Sequence, residues 1–195
     1  MSDAAARRRQ AALAGHLDDP AAARTALDDD DPKVRATALT ALRRAGSLSA
    51  ADVERGLADA DPGVRRRACE VAVAVPEVDL HRLLADADAA VVEATAWALG
   101  EREERAAVPT LVHVALEHED PLCREAAVAA LGAIGDEEGR AAILSAATGD
   151  RPAVRRRAVV ALAAFDGPDV EAALRRALKD RDWQVRQAAE DLLGD

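Results

Sequence analysis

The sequence predicts an all-α solenoid built from about six helical hairpins. Three observations indicate this fold: a short motif recurs six times, apolar residues surround it at helical spacing, and no stretch alternates as a β-strand would. The motif has the form Asp-x-x-Val-Arg, and its valine position recurs at steps of 30, 27, 32, 31 and 31 residues. That position holds Val34, Val64, Val91, Cys123, Val154 and Val185. Repeats of this length predict units that stack, because one unit alone cannot bury its apolar face.

The motif marks the start of the second helix of each unit. Small or apolar residues stand four, seven and eight positions after the valine, which is the spacing of one helix face. The predicted N-caps are Asp31, Asp61, Asp88, Asp120 and Asp182, and proline follows at 32, 62, 121 and 152. The predicted helix stops are Gly46, Gly100, Gly135 and Gly194.

The first helix of each unit lies upstream of the motif. Its predicted core positions, seven and eleven residues before the valine, are Leu27, Leu57, Leu84, Leu116, Ala147 and Leu178, and Ala23, Val53, Leu80, Val112, Ile143 and Leu174. We expect one domain over 1–195, with a capping helix within 1–19 on which Arg7, Arg8 and Arg9 face solvent. The expected repeats span about 20–46, 47–75, 76–104, 105–135, 136–166 and 167–195.

The chain is acidic, with 36 acidic and 26 basic residues and a formal net charge of −10. Such acidity with only two lysines is typical of a salt-rich cytoplasm, as in a halophilic archaeon, and equally of GC-rich coding, and both explanations stay open. No apolar run predicts a signal peptide or a membrane span. Cys69 and Cys123 are predicted to be buried and unpaired, as in a reducing compartment. We therefore expect a cytoplasmic protein that binds no membrane.

The repeated motif, best preserved over Asp31–Leu42 and Asp182–Leu193, resembles HEAT repeats of the phycobilisome-lyase-like class. The segment Ala130–Asp136 is similar to the link between units in that class. The resemblance implies a ladder in which the arginine after the valine pairs with a capping aspartate of a neighbouring repeat. The ladder arginines would be Arg35, Arg65, Arg124, Arg155 and Arg186. Val92 takes this place in the third repeat, so the ladder should be interrupted there.

The sequence contains few candidate catalytic, metal-binding or nucleic-acid-binding residues. HEAT-type deoxyhypusine hydroxylases bind two irons through several His-Glu pairs, whereas this chain has one such pair, His118-Glu119. We therefore expect no catalytic residue, no metal and no cofactor. Two arginine clusters, 65–67 and 155–157, raise the alternative of DNA binding, but the net charge of −10 opposes phosphate attraction. No nucleic-acid partner is predicted.

The remaining hypothesis is protein recognition on the concave face. Positions two and six after the valine should point into that face, which gives an acidic centre with one tryptophan between arginines. The predicted partner-binding residues are Trp97, Glu93, Glu70, Glu125, Arg66 and Arg156. The sequence thus favours a non-enzymatic adaptor that binds another protein. A phycobilin-lyase-type subunit, or another protein-modification factor, is the alternative. The resemblance to HEAT repeats implies that Trp183, in the first turn of its helix, packs against the edge of the solenoid.

Overall fold

A computed structural model describes residues 3–194. Over this range the chain forms twelve α-helices, four short 3-10 helices and no strand. The α-helices are α1 Asp3–His16, α2 Pro20–Thr25, α3 Pro32–Arg44, α4 Ala50–Leu57, α5 Pro62–Ala72, α6 Ala89–Glu101, α7 Val108–Glu117, α8 Pro121–Ile134, α9 Glu137–Gly149, α10 Pro152–Ala161, α11 Pro168–Ala177 and α12 Trp183–Leu193. The all-α solenoid class predicted from the sequence is confirmed.

The chain divides into two compact units, residues 1–98 (unit 1) and 99–195 (unit 2), and the boundary falls within α6. In unit 1, α1 packs on α3, α3 on α5, and α4 on α5. In unit 2, α8 packs on α7 and α10, while α10 also packs on α9 and α12. Both units are therefore stacks in which each motif helix contacts the next one. The expectation of a single domain stays a prediction.

The predicted start of each motif helix is confirmed. A carboxylate oxygen of Asp31 accepts a hydrogen bond from the N–H of Lys33 at 2.8 Å, and Asp61, Asp88, Asp120 and Asp182 cap their helices in the same way. Proline is the first residue of α3, α5, α8 and α10, where its missing N–H has no helical partner to lose. The six valine-position side chains are all buried.

One predicted helix stop is wrong. Gly46, Gly135 and Gly194 adopt positive φ angles after their helices, as expected for such stops. Gly100 instead lies inside α6, which continues to Glu101. A Cβ on Gly100 would stand 2.9 Å from the Cα of Ala130. The glycine is required there for close helix packing rather than for a turn.

The third repeat lacks its first α-helix. The segment between α5 and α6 holds only the 3-10 helix His81–Ala85. The 27-residue step removes several residues, and Pro76 follows a run rich in β-branched valine, so an α-helix has neither the length nor the propensity to form. Leu80, Leu83 and Leu84 still fill the core. The predicted core residues are confirmed here, but the predicted helix is wrong.

The fourth repeat has its first helix in a shifted register. Leu116 is exposed and Val112 is partly exposed, although both were predicted to be buried. Leu111 and Ala115 are buried in their place. The step of 32 residues inserts one residue before the motif, and one residue turns a helix by about 100 degrees. The core positions therefore lie eight and twelve residues before Cys123.

The arginine ladder forms, but its acceptor is not the capping aspartate. Nε and Nη2 of Arg35 donate to the two carboxylate oxygens of Asp59 at 2.7 Å each, and Nη1 donates to the carbonyl oxygen of Asp29 at 2.9 Å. Asp59 lies two residues before the N-cap Asp61 and accepts its N–H. The other bidentate pairs are Arg65 with Asp86, Arg124 with Asp150, and Arg155 with Asp180.

Each ladder carboxylate therefore accepts a backbone N–H within its own loop and also accepts hydrogen bonds from the arginine of the preceding repeat. Val92 donates no such bond, so the predicted interruption in the third repeat is confirmed. Arg7 on α1 forms an additional pair with Asp29, with 2.6 Å between Nε and Oδ2. Arg7 therefore has an ion-pair partner but stays partly exposed to solvent, while Arg8 and Arg9 are exposed as predicted.

Candidate partner-binding faces

The positions predicted to face a partner are all accessible. None of the twelve side chains two and six residues after the valine is buried within its own unit. They are Ala36, Thr40, Arg66, Glu70, Glu93, Trp97, Glu125, Ala129, Arg156, Val160, Gln187 and Asp191. The helical spacing that buries the valine position thus presents these residues on the opposite side of the same helices.

Trp97 and Glu93 form an exposed stripe on α6, whose other residues from Val91 to Gly100 are buried. Trp97 is 45% exposed, whereas Thr95, Ala96 and Ala98 are fully buried. Thr95 donates a hydrogen bond to the carbonyl oxygen of Val91 at 2.7 Å, so its hydroxyl is satisfied inside the core. A helix held this firmly presents the indole in a fixed place on the surface of unit 1.

The neighbouring helix α5 places Arg66 and Glu70 beside this stripe. The two helices are joined in the core, where the Cys69 thiol lies 3.2 Å from the hydroxyl of Thr95. Burial raises the pKa of the Cys69 thiol, which keeps it protonated and unreactive. Cys69 and Cys123 are both buried free thiols, as predicted.

The predicted acidic centre is partly neutralised in unit 1. A carboxylate oxygen of Glu70 lies 3.2 Å from Arg66, and the other lies 2.5 Å from Arg67. Glu93 has no ion-pair partner among the described residues. The free carboxylate on this face is therefore Glu93, one helical turn from Trp97.

A groove opens between α3 and α5 in unit 1, with a volume of about 490 Å³. Its wall carries the cationic side chains Arg8, Lys33, Arg66 and Arg67. Its other lining residues are Pro32, Ala36, Thr37, Thr40, Asp61 and Gly63. Sequence analysis missed Arg8, Lys33 and Arg67, because they lie outside the two positions assigned to the face.

Unit 2 has a groove of different chemistry between α8 and α10. Its volume is about 350 Å³, and apart from Arg157 its lining is small and apolar. The lining comprises Ala129, Gly132, Ala133, Arg157, Val160, Ala161, Ala163 and Ala164. The predicted site residues Glu125 and Arg156 lie 3.9 Å apart in a weak ion pair, and Arg157 lies 3.6 Å from the same carboxylate. Glu125 is therefore also partly neutralised.

Trp183 does not pack against the edge of the fold. It is the first residue of α12, and it is 64% exposed. The expectation of a packed side chain is therefore wrong.

The His118-Glu119 pair belongs to a loop of unit 2. Nδ1 of His118 accepts the N–H of Asp120 at 3.1 Å, and the His118 carbonyl oxygen accepts a bond from Arg124 at 2.7 Å. Histidine thus fills the loop position, five residues before the valine position, that Asp29, Asp59, Asp86 and Asp180 hold in other repeats. Within residues 3–194, no group of three or more potential ligand side chains is placed to hold a metal ion. No helix in the same range is long and apolar enough to cross a bilayer.

Stacked helical hairpins, capped by Asp-Pro and joined by an arginine ladder, define a helical repeat protein. A family model described as HEAT repeats matches residues 77–152 and 140–195, which together are more than half of the chain. The chain therefore belongs to the HEAT repeat family.

Solved structures with similar folds include three of differing function. The complex of CpcE and CpcF of phycocyanin lyase from Nostoc sp. PCC7120 is 25% identical, with a TM-score of 0.63 over 90% of this chain and 76% of that one. A designed armadillo repeat protein in complex with the peptide (KR)4 is 16% identical, with a TM-score of 0.60 over 99% of both chains. Human deoxyhypusine hydroxylase is 19% identical, with a TM-score of 0.51 over 96% of this chain and 78% of that one.

The similarity to the last two proteins concerns the fold alone. No curated protein matches the sequence.

Proposed function

We propose that the protein is a non-enzymatic adaptor that binds another protein through the exposed side of its motif helices. Trp97 is the observation on which the proposal chiefly rests. The indole is 45% exposed, and the residues on both sides of it, Ala96 and Ala98, are buried, so the backbone that carries it is held firmly and little entropy is lost there when a partner covers it. Tryptophan is enriched among the residues that dominate binding energy at protein interfaces.

The polar groups around Trp97 suit an interface. Glu93 supplies an unpaired carboxylate that a partner cation can meet, while Glu70 is already held by Arg66 and Arg67. A pre-ordered ion pair on the rim needs no further ordering when the partner binds. In unit 2, the proposed partner-binding residues are Glu125 and Arg156.

A phycobilin-lyase-type subunit is the second candidate. The 25% identity to the phycocyanin lyase complex favours it. The chain has no tyrosine, and its one phenylalanine, Phe165, is buried, so few rings are free to stack on a tetrapyrrole. Co-expression with a bilin and its acceptor protein tests this candidate, since covalent fluorescence on the acceptor would establish lyase function in place of the adaptor role.

Quantitative affinity capture from the native host tests the adaptor proposal. Wild-type protein and the Trp97→Ala and Trp183→Ala variants serve as baits, followed by mass spectrometry. Trp183→Ala is a matched control, because it also removes an exposed tryptophan, at 64% exposure and outside the assigned face. We expect a protein that wild type and Trp183→Ala retain and Trp97→Ala loses.

The recovered partner then allows an affinity measurement. Trp97→Ala should weaken binding by about 2 kcal/mol or more, as expected for an interface hot spot. Equal capture by all three baits, or no specific capture by wild type, contradicts the proposal.

Fluorescence reports on Trp97 without a partner. In a Trp183→Phe background, Trp97 should emit at long wavelength and be quenched readily by acrylamide, because nearly half of its surface is exposed. Binding of the partner should shift the emission to the blue and protect it from the quencher. A blue-shifted, quencher-resistant indole in the free protein would assign Trp97 to the core instead.

A further inference from the structure

The groove between α3 and α5 concentrates positive charge in unit 1. Four cationic side chains, Arg8, Lys33, Arg66 and Arg67, line a volume of about 490 Å³. They come from three helices, since Arg8 belongs to α1, Lys33 to α3, and the other two to α5. The charge is therefore a product of the folded unit rather than of one run of sequence.

Two anionic groups near these cations, Asp61 and Glu70, are engaged. The carboxylate of Asp61 caps α5 by accepting the N–H of Gly63 at 2.8 Å. The carboxylate of Glu70 is shared between Arg66 and Arg67. Arg8 and Lys33 have no ion-pair partner among the residues that the structure describes. The groove thus keeps an excess of positive charge.

This excess contrasts with the rest of the unit. Residues 1–98 carry 17 acidic and 13 basic side chains, so the unit as a whole is negative. Charges more than about 8 Å apart are largely screened at physiological salt. A ligand seated in the groove therefore responds mainly to the charges beside it, which are four cations against the carboxylates of Asp61 and Glu70.

We propose that this groove binds an acidic segment of a partner protein, with its carboxylates placed against Arg8, Lys33, Arg66 and Arg67. Guanidinium groups donate paired hydrogen bonds to carboxylates, and lysine adds a point charge. The floor of Ala36, Thr37 and Thr40 is small and weakly polar, so an extended chain can approach the helices closely. The volume lies within the range of about 300–1,000 Å³ that is typical of ligand pockets.

The shape and lining favour a peptide over other ligands. No aromatic side chain lines the groove, so nucleobases have nothing on which to stack. A long nucleic acid would also meet the negative surface of a chain with net charge −10. This proposal rests on the proposed adaptor function. It adds that the segment of the partner that is recognised is acidic.

Fluorescence anisotropy with a labelled peptide of alternating Asp and Gly tests the assignment. The variant Lys33→Glu/Arg66→Glu reverses two groove charges. Lys179→Glu/Arg181→Glu is the matched control, because it makes the same two replacements at exposed positions of unit 2. Circular dichroism melts establish that both variants are folded.

We expect wild type to bind the peptide, with affinity that falls as salt increases. The groove variant should lose at least about tenfold in affinity, and the control should change by less than about threefold, because a distant charge acts only through a screened field. A labelled single-stranded oligonucleotide of equal charge should bind more weakly than the peptide.

Three results would overturn the assignment: no binding of the acidic peptide by wild type, equal losses in the two variants, or stronger binding of the oligonucleotide. A failure of the acidic-segment proposal can be distinguished from a failure of the adaptor proposal. If the captured partner depends on Trp97 but binds the groove variant as tightly as wild type, the adaptor proposal stands and the acidic-segment proposal is wrong.

Discussion

The two units are built alike, yet the grooves between their motif helices differ. In unit 1 the groove between α3 and α5 carries four cationic side chains. In unit 2 the groove between α8 and α10 is lined by alanine, glycine and valine with one arginine. The helices on both sides of each groove begin with Asp-Pro or Arg-Pro, and each buries its side chain at the valine position.

This difference separates two roles of the repeat. The buried positions and the ladder determine how one helix stacks on the next, and they are alike in both units. The outward positions contact no other repeat through the core, so they can change without loss of stacking. Substitutions in the shared core should therefore cost stability in either unit, while those in the grooves should alter binding.

The largest effect is expected at the shared core. Leu131→Ala in unit 2 should lower the free energy of unfolding by about 2–5 kcal/mol, because a fully enclosed side chain leaves a cavity. Leu42→Ala in unit 1 should cost a comparable amount. Leu193→Ala should cost less, since Leu193 is only partly buried. Denaturant melts measure the free energy of unfolding of all three variants. Equal losses at positions 131 and 193 would contradict the assignment of Leu131 to the core and of Leu193 to a partly buried position.

The arginine–aspartate pairs of the two units differ in how deeply they are buried. The side chain of Arg155 is 5% exposed and that of Arg7 is 37% exposed, although both form bidentate pairs with aspartate. Arg155→Ala should cost about 3 kcal/mol, because it strands a largely buried carboxylate. Arg7→Ala should cost clearly less than Arg155→Ala, because solvent screens that pair. Thermal or urea unfolding gives both values; equal losses would show that burial does not set the strength of the ladder.

Gly132, which lines the groove of unit 2, is expected to tolerate no larger side chain. A Cβ on Gly132 would lie 2.6 Å from Cβ and 2.9 Å from Cα of Ala161. Gly132→Ala should therefore destabilise the protein by about 1–3 kcal/mol, because α10 must shift. Gly149→Ala is the control, since its Cβ meets nothing within 4 Å and alanine favours a helix by about 1 kcal/mol. A stabilising Gly132→Ala would contradict the close approach of these helices.

Acid should weaken both units through the same carboxylates. Hydrogen bonds from Arg65 lower the pKa of Asp86, and hydrogen bonds from Arg124 lower the pKa of Asp150. The unfolded chain then binds more protons than the native one at acid pH, so this stabilisation is full above the ordinary aspartate pKa of about 3.9. It is lost as pH falls through the lower native values.

Unfolding measured from neutral pH to about pH 3 should therefore show a stability that is level near neutrality and decreases below about pH 5. Asp150→Asn should flatten part of that decrease. A stability that stays constant down to pH 3 would mean that the ladder carboxylates contribute nothing to the pH dependence.

Sequence periodicity predicted the hairpins well where the step was regular. It failed in the third and fourth repeats, whose steps are 27 and 32 residues. A deleted stretch removed the helix before α6, and one inserted residue rotated α7 so that Leu116 faces solvent. The exposure of Trp97 followed from spacing alone. The groove lining did not, because Arg8 and Lys33 come from different helices and reach it through the stacking of α1, α3 and α5.

The sequence alone determined the helical class, the capping residues and the buried valine positions. These are local or periodic properties, in which a residue and its neighbours a few positions away decide the outcome. Tertiary structure decided which aspartates receive the ladder arginines, why Gly100 lies within a helix, and where positive charge collects. Each of these depends on atoms from separate repeats meeting at a few ångströms, and that proximity arises only when the helices stack.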